Sequence, residues 1–207
     1  MTRLGLRVLV GAFAGLLVGA TANADITGSI WESDPTGASD ATPGNVPGTT
    51  PNVTFDIPGT AINFTSGGLY TIGEFLSSGG ATVLTGASEL GNTLDNTIFN
   101  FTGTVSVTSG ETFTAGHDDG LTFIIGGDTV ISTPGPTGFA STTETYTGPT
   151  GNEPYQLVYG ECCGSPAALE ISGLALVGTP EPSAVVLGFT MMLLVGLVAR
   201  KRFAKAA

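Results

Sequence analysis

Short runs in which apolar and polar residues alternate recur along the middle of this chain, and period-two alternation is the pattern of a half-buried β-strand rather than a helix. In the clearest run Phe99, Phe101, Val105 and Val107 share one parity, with polar residues between them. Similar runs occupy residues 53–57, 121–125, 155–159 and 169–176. Because Gly- and Pro-rich turns separate the runs, the pattern predicts an all-β domain built as an antiparallel β-sandwich. One short helix is predicted at 71–77 and one long loop at 34–51.

The charges are distributed unevenly along the chain. No Lys or Arg occurs between Asp25 and Thr179, whereas all but one of the 17 acidic residues lie there, and the formal net charge is −11. A domain this acidic repels phosphate backbones, which excludes nucleic-acid binding. The acidity fits a soluble extracellular surface, or carboxylates that divalent cations partly neutralise.

The first 24 residues have the three parts of a secretory signal peptide. Two arginines precede an apolar run from Val8 to Ala20, and Ala22 and Ala24 supply the small residues of a cleavage site. A membrane-spanning helix is the weaker interpretation, because it needs about 20 apolar residues and this run is shorter. We therefore expect the mature chain to begin after Ala24.

The other end of the chain contains a longer apolar segment. Residues 183–199 are apolar throughout, and Arg200, Lys201 and Arg202 follow immediately. This length is just enough to cross a bilayer. The basic cluster predicts a transmembrane helix with its C-terminal end in the cytoplasm and the preceding domain outside.

Pro180, Glu181 and Pro182 stand just before this apolar segment. The Pro-Glu-Pro signature, the apolar helix and the basic end together resemble the PEP-CTERM sorting signal. The resemblance implies a protein exported by a Gram-negative bacterium that makes extracellular polysaccharide. It also implies processing by exosortase, with transient inner-membrane anchoring before release to the cell surface or matrix. The predicted organisation is thus a signal peptide (1–24), a secreted domain (25–178) and a sorting tail (179–207).

The segment Gly116-His117-Asp118-Asp119-Gly120 is the most informative part of the predicted domain. Adjacent Asp side chains in a strand normally point to opposite faces. They can converge if their peptide bond is cis, which without proline costs about 3–4 kcal/mol. A hard cation such as Ca²⁺, which prefers carboxylate and carbonyl oxygens, would hold such a pair together. A solvated turn is the alternative, because Asp and Gly are common turn residues.

Residues 107–131 (VTSGETFTAGHDDGLTFIIGGDTVI) resemble the core of the lectin-like sandwich named after anthrax protective antigen, which also forms the adhesive domain of yeast flocculins. The resemblance extends over residues 98–174. It implies that Asp118 and Asp119 bind Ca²⁺ and that Glu161 takes the place of a ligand from a second loop. His117, Gly120, Cys162 and Cys163 would then belong to the two ligand loops, with backbone carbonyls near Cys163 completing the shell.

Cys162 and Cys163 are the only cysteines, and they are adjacent. Export to an oxidising compartment favours pairing of thiols. We predict a disulfide between the two neighbours, with two reduced buried thiols or a bond between chains as the alternatives. A zinc site would need more ligands than two cysteines and one distant histidine.

These features predict a non-enzymatic surface or matrix protein. Its domain would be a Ca²⁺-dependent carbohydrate-binding or adhesive module linked to extracellular polysaccharide or biofilm. A structural matrix protein without a specific ligand is the alternative. A glycosidase using Asp118 and Glu161 is a third interpretation, although the chain has no nucleophile elbow, phosphate loop or zinc motif.

Overall fold

The computed structural model describes residues 25–58 and 61–177. These residues belong to one compact unit, Asn23–Thr179. The predicted signal peptide and sorting tail, including Ala22, Ala24, Pro180, Glu181, Pro182, the helix at 183–199, Arg200, Lys201 and Arg202, lie outside the described residues. In the part of the chain that is described, no helix combines the length and apolarity needed to cross a bilayer.

The described residues form two antiparallel sheets. The strands in chain order are β1 (Asp25–Trp31), β2 (Val53–Pro58), β3 (Ile62–Thr65), β4 (Thr82–Thr85), β5 (Thr97–Val107), β6 (Thr112–Asp118), β7 (Gly120–Ile125), β8 (Asp128–Thr133), β9 (Ala140–Thr145), β10 (Gly151–Glu161) and β11 (Ala168–Ser172). The larger sheet has seven strands in the order β4-β2-β1-β5-β10-β7-β8, and the smaller sheet has four in the order β3-β11-β6-β9. The predicted fold class, an all-β antiparallel sandwich, is confirmed.

The core between the sheets is aromatic. The alternating residues Phe99, Phe101, Val105 and Val107 of β5 are all buried, as the sequence pattern predicts. Around them lie further buried rings: Phe55, Phe64, Phe75, Phe113, Phe123, Tyr155 and Tyr159. Neighbouring rings meet in stacked, tilted and edge-to-face arrangements, which are the geometries that aromatic pairs prefer.

The predicted helix at 71–77 is present as α2 (Ile72–Ser78). The hydroxyl of Thr71 caps it by accepting a hydrogen bond from the Glu74 N–H at 3.3 Å. Its residues at spacing i, i+3 and i+4 are buried against the sheets, namely Ile72, Phe75 and Leu76. The carboxylate of Glu74 reaches back to the backbone N–H groups of Leu69 and Tyr70. These bonds fix the loop that places Tyr70 at the end of the sandwich.

The segment 34–51, predicted as a long loop, contains a short helix, α1 (Pro35–Ser39), and a 3₁₀ turn at Pro43–Asn45. Asp34 caps α1 through the N–H of Gly37. The segment packs against the larger sheet around a second, smaller apolar cluster, made of Trp31, Ala41, Ile98 and Val158. Because it buries apolar side chains of its own, this segment becomes part of the folded domain.

Both ends of the described unit run beside the same end of β5. Thr27 of β1 pairs with Thr102, and farther along β5 the N–H of Val177 donates to the carbonyl oxygen of Thr104 at 3.0 Å. Glu161, the last residue of β10, pairs instead with Thr97, the first residue of β5. Glu161 therefore lies at the end of the sandwich opposite to the first and last residues of the described unit.

Candidate functional site

The residues singled out from the sequence meet where the chain passes from one sheet to the other. β6, in the smaller sheet, ends at Asp118, and β7, in the larger sheet, begins at Gly120. The Asp118–Asp119 peptide bond is cis. At Gly120 a side chain would collide with the carbonyl oxygen of Pro134, so only glycine fits this close approach.

Asp119 is held by backbone donors from two loops. Its Oδ2 accepts hydrogen bonds from the N–H groups of Cys162 at 3.0 Å and Cys163 at 3.4 Å. Its Oδ1 accepts a third from the N–H of Thr137 at 3.0 Å. Only 5% of Asp119 is exposed. The carboxylate thus ties the β10–β11 loop to the β8–β9 loop.

Asp118 is equally buried and lies beside a second negative group. Burial, and then repulsion by Asp119, raise the pKa of Asp118. A hydrogen bond from the backbone N–H of Phe139 and the proximity of His117 offset part of this effect. The pair is therefore a place where added positive charge would be stabilising.

Glu161 is fully buried and is bonded by two tyrosine hydroxyls. The hydroxyl of Tyr70 lies 2.6 Å from Oε1, and that of Tyr159 bonds Oε2. Burial raises the pKa of Glu161 to about 8, although the two hydroxyls lower it in part. Burial and the neighbouring Glu161 also raise the pKa of both tyrosines, so their hydroxyls remain donors at neutral pH.

The number of protons in this network indicates the charge of Glu161. Besides Glu161, the Tyr159 hydroxyl contacts the backbone carbonyl of Asp118, which can only accept. Three oxygen–oxygen contacts thus link Tyr70, Tyr159, Glu161 and Asp118, and each needs one hydrogen. The two tyrosine hydroxyls supply only two. A protonated Glu161 provides the missing hydrogen, in agreement with its raised pKa.

His117 and the two cysteines complete the surroundings. His117 is fully buried, and its ring nitrogens contact the carbonyl of Asp119 and, at 3.1 Å, the hydroxyl of Thr133. Cys162 and Cys163 are joined by a disulfide, with Cys162 buried and Cys163 exposed at the loop tip. His117 is thus committed to internal contacts, whereas the disulfide stands at the surface.

Comparison with known proteins identifies the architecture. No family model and no curated protein sequence matches the chain. Among solved structures, the PA14 domain of the antifreeze protein MpAFP is 17% identical, with a TM-score of 0.55, over 74% of this chain and 87% of that one. The PA14 sugar-binding domain from an RTX adhesin is 20% identical, with a TM-score of 0.55, over 76% of this chain and 96% of that one. The domain has the PA14 fold.

On this PA14 fold, the three residues expected to bind a cation do not all bring their ligand atoms together. In the described ranges, the one group of three His, Cys, Asp or Glu residues whose ligand atoms lie within 4.8 Å of one another is Asp119, Cys162 and Cys163. Its sulfurs are in the disulfide and are not thiolate ligands. The trio Asp118, Asp119 and Glu161 does not form such a group, and Glu161 is bonded by Tyr70 and Tyr159.

The carboxylate pair itself suits a hard cation. Asp118 and Asp119 are adjacent, buried and oxygen-bearing, and no Lys or Arg lies between residues 25 and 179 to neutralise them. Sequence reasoning missed Tyr70, Thr137 and Phe139, which lie in loops without periodic signal. Tyr159 was recognised only as a strand residue, although its position two residues before Glu161 places both on the same face of β10.

Proposed function

We propose that this chain is an exported, non-enzymatic surface protein whose PA14-type domain binds carbohydrate with the help of Ca²⁺. The observation that carries the proposal is the buried pair Asp118 and Asp119, in a domain without any cationic Lys or Arg. Buried charges are normally paired or bound to metal. A divalent cation at this pair would supply the compensation that the chain itself lacks.

Calcium is the ion best suited to these ligands. It accepts six to eight oxygen ligands from carboxylates, carbonyls and water. Asp118 and Asp119 would hold the ion, with backbone carbonyls near Cys163 beside it. Glu161 would join as a third ligand only by exchanging its hydrogen bonds to Tyr70 and Tyr159.

Two further observations support an extracellular sugar ligand. One solved structure of the same fold is described as a sugar-binding domain from an adhesin, and another belongs to an antifreeze protein. The chain's ends carry the signal-peptide and PEP-CTERM-like patterns described above. We therefore propose an adhesive role in extracellular polysaccharide or biofilm, after inner-membrane anchoring and processing by exosortase.

Intact-mass analysis of surface material should find a chain starting at Asp25 and lacking residues 183–207. Recovery of only full-length chain in the inner membrane would contradict the sorting proposal.

Thermal unfolding with and without Ca²⁺ tests the cation site. A ligand that binds only the native state adds about 2.7 kcal/mol of stability at 100 times its dissociation constant. We expect Ca²⁺ to raise the melting temperature of the wild type, and Asp118→Asn with Asp119→Asn to abolish this shift. The matched control is Asp40→Asn with Asp95→Asn, which removes the same charge from exposed positions. Equal shifts in the two double variants would refute a specific site.

A glycan-binding assay with and without chelator then tests the ligand class. Loss of binding on chelation, restored by Ca²⁺, supports the lectin-like function. A protein that binds no glycan in either condition would favour the structural matrix protein, and release of sugar from a glycan would favour the glycosidase.

A further inference from the structure

One row of residues crosses the whole outer face of the smaller sheet. The strand registers place Asn63 of β3 beside Glu170 of β11, Glu170 beside Gly116 of β6, and Gly116 beside Ser141 of β9. The side chains of Asn63, Glu170 and Ser141 are exposed, and on β3, β6 and β11 the residues on either side of the row point into the core. With strands about 4.8 Å apart, the row is about 14 Å long. It presents an amide, a carboxylate and a hydroxyl, with a gap at the glycine.

An aromatic ring lies over the gap. Phe139, which immediately precedes β9, is 60% exposed. A Cβ at Gly116 would lie 3.1 Å from the Cζ of Phe139, which shows how closely the ring rests on the sheet. Gly116 therefore makes room for the ring, and a large apolar side chain is held at the surface rather than in the core.

The ring and the row enclose a groove of about 270 Å³. Phe139, Asn63, Glu170 and Ser141 all line it, and Thr114 adds a further hydroxyl. This volume is near the lower limit of small-ligand sites. The groove carries one carboxylate, and Lys and Arg are absent from residues 25–179, so it does not favour anionic ligands.

We propose that this groove is a binding subsite for a neutral polysaccharide chain, separate from the Asp118–Asp119 pair. A sugar ring has an apolar C–H face that packs on an aromatic ring, and hydroxyl groups that both donate and accept hydrogen bonds. Phe139 provides the apolar platform. Asn63, Glu170 and Ser141 provide partners for the hydroxyl groups around it.

The groove lies next to the carboxylate pair, and this part of the inference rests on the proposed function. Asp118 lies two residues beyond Gly116 on β6, and the backbone N–H of Phe139 bonds its side chain. A polysaccharide held at the carboxylate pair can therefore continue over Phe139 onto the sheet. Such an arrangement selects an extended chain over a single terminal sugar.

Titration with neutral oligosaccharides tests the groove. The exported protein is kept in a detergent without a sugar headgroup and titrated with β-1,3-glucan, β-1,4-glucan and mannan series, from monosaccharide to hexasaccharide. We expect affinity to rise with chain length, and Phe139→Ala to reduce affinity for the longer members by about tenfold or more. Leu84→Ala is the matched control, because Leu84 is also an exposed apolar residue, 55% exposed, but lies on the larger sheet.

A gain-of-signal variant reports contact directly. Phe139→Trp should keep the binding, and its indole fluorescence should change on addition of hexasaccharide, whereas the single native Trp31 is buried and gives a constant background. Glu170→Gln with Asn63→Ala should weaken binding without changing the melting temperature.

The outcomes separate this inference from the proposed function. Binding that chelation or Asp118→Asn abolishes, but that is equal in Phe139→Ala and Leu84→Ala, overturns the groove and leaves the calcium-dependent site standing. Binding that survives chelation and is lost in Phe139→Ala supports the groove and refutes the calcium requirement. Absence of binding to every series, or a Phe139→Ala effect on self-association alone, overturns the groove.

Discussion

The aromatic core and the carboxylate end of the sandwich are held together by different interactions, and one residue belongs to both. In the core, apolar rings pack on rings without any hydrogen bond between them, whereas at the end Asp119 and Glu161 each depend on particular hydrogen-bond donors. Tyr159 belongs to both regions. Its ring is stacked with Phe75 at 6.0 Å between centroids, and its hydroxyl bonds Glu161 and the Asp118 carbonyl.

The contrast shows where stability and function are located. Buried aromatic area supplies a large favourable free energy. Buried acidic groups without cationic partners cost free energy, and the described residues include three of them, Asp118, Asp119 and Glu161. The aromatic core therefore offsets the free-energy cost of burying these acidic groups. Substitutions in each region should separate the two contributions.

Removing one central ring should give the largest loss of stability. Phe101 is fully buried and lies 5.7 Å from Phe55, 5.9 Å from Phe64 and 6.2 Å from Phe99 between ring centroids. Phe101→Ala should lower the free energy of unfolding by about 3–5 kcal/mol in a denaturant titration. Phe139→Ala, which removes the same side chain from the surface, should change it by less than about 0.5 kcal/mol. Similar losses in both would show that burial is not the source of stability.

Removing one hydroxyl from each of two buried tyrosines separates packing from hydrogen bonding. Tyr159→Phe should cost about 1–3 kcal/mol, because it removes the hydrogen-bond partner of Glu161 Oε2 and of the Asp118 carbonyl, while Tyr70 still bonds Oε1. Tyr155→Phe is the matched control, since the Tyr155 hydroxyl is buried and has no hydrogen-bond partner among the described residues. We expect this control to be neutral or stabilising. Equal costs for the two variants would contradict the network.

The pH dependence of stability without calcium should identify Glu161. Its pKa is raised from 4.5 to about 8 in the folded state, so between these values the native chain holds a proton that the unfolded chain has released. This contribution to stability is fully present below about pH 4.5 and is lost as the pH rises through about 8. Melting temperatures should fall across this window in chelator, and Glu161→Gln should flatten the slope. Glu170→Gln, an exposed control, should retain it.

Reducing the disulfide should have the smallest effect on stability. A bond between neighbours closes almost no loop, in contrast to the ~3 kcal/mol estimated for a loop of 15 residues. The N–H groups of Cys162 and Cys163 both bond Asp119. Reduction should therefore weaken calcium and glycan binding while barely changing the melting temperature. Cys162→Ser with Cys163→Ser should not respond to reductant. Two freely alkylated thiols in the untreated protein, or a dimer linked by disulfide, would contradict the vicinal bond.

The sequence predicts best where side-chain alternation alone decides the structure. The faces of β5, β7 and β10, the helix α2 and the turn at Gly126 and Gly127 all follow from local pattern. Both turn glycines have positive φ, 61° and 90°, as tight hairpins require. The strand β9 was not predicted, because its residues are Ser, Thr and Glu after the first alanine and carry no alternating apolar face.

The site was harder to predict, because its partners are far apart in the chain. Tyr70 and Glu161 are separated by 91 residues, and Asp119 and Cys162 by 43. The pattern around Asp118 and Asp119 indicates carboxylates at a strand end. It does not show that Glu161 is bonded by tyrosines, because pairings such as β5 with β10 depend on long-range strand order.

The placement of Val177, the last described residue, beside Thr104 has a practical consequence. Thr97, beside Glu161, is seven residues away on β5, or about 23 Å at ~3.3 Å per residue. A domain tethered through residue 177 would present Asp118, Asp119 and the disulfide loop on its far side, with clearance from the supporting surface. Biosensor immobilisation through either end of this unit should likewise leave the ligand end facing the solution. The same attachment through an introduced cysteine at Ser165, in the β10–β11 loop, should block it.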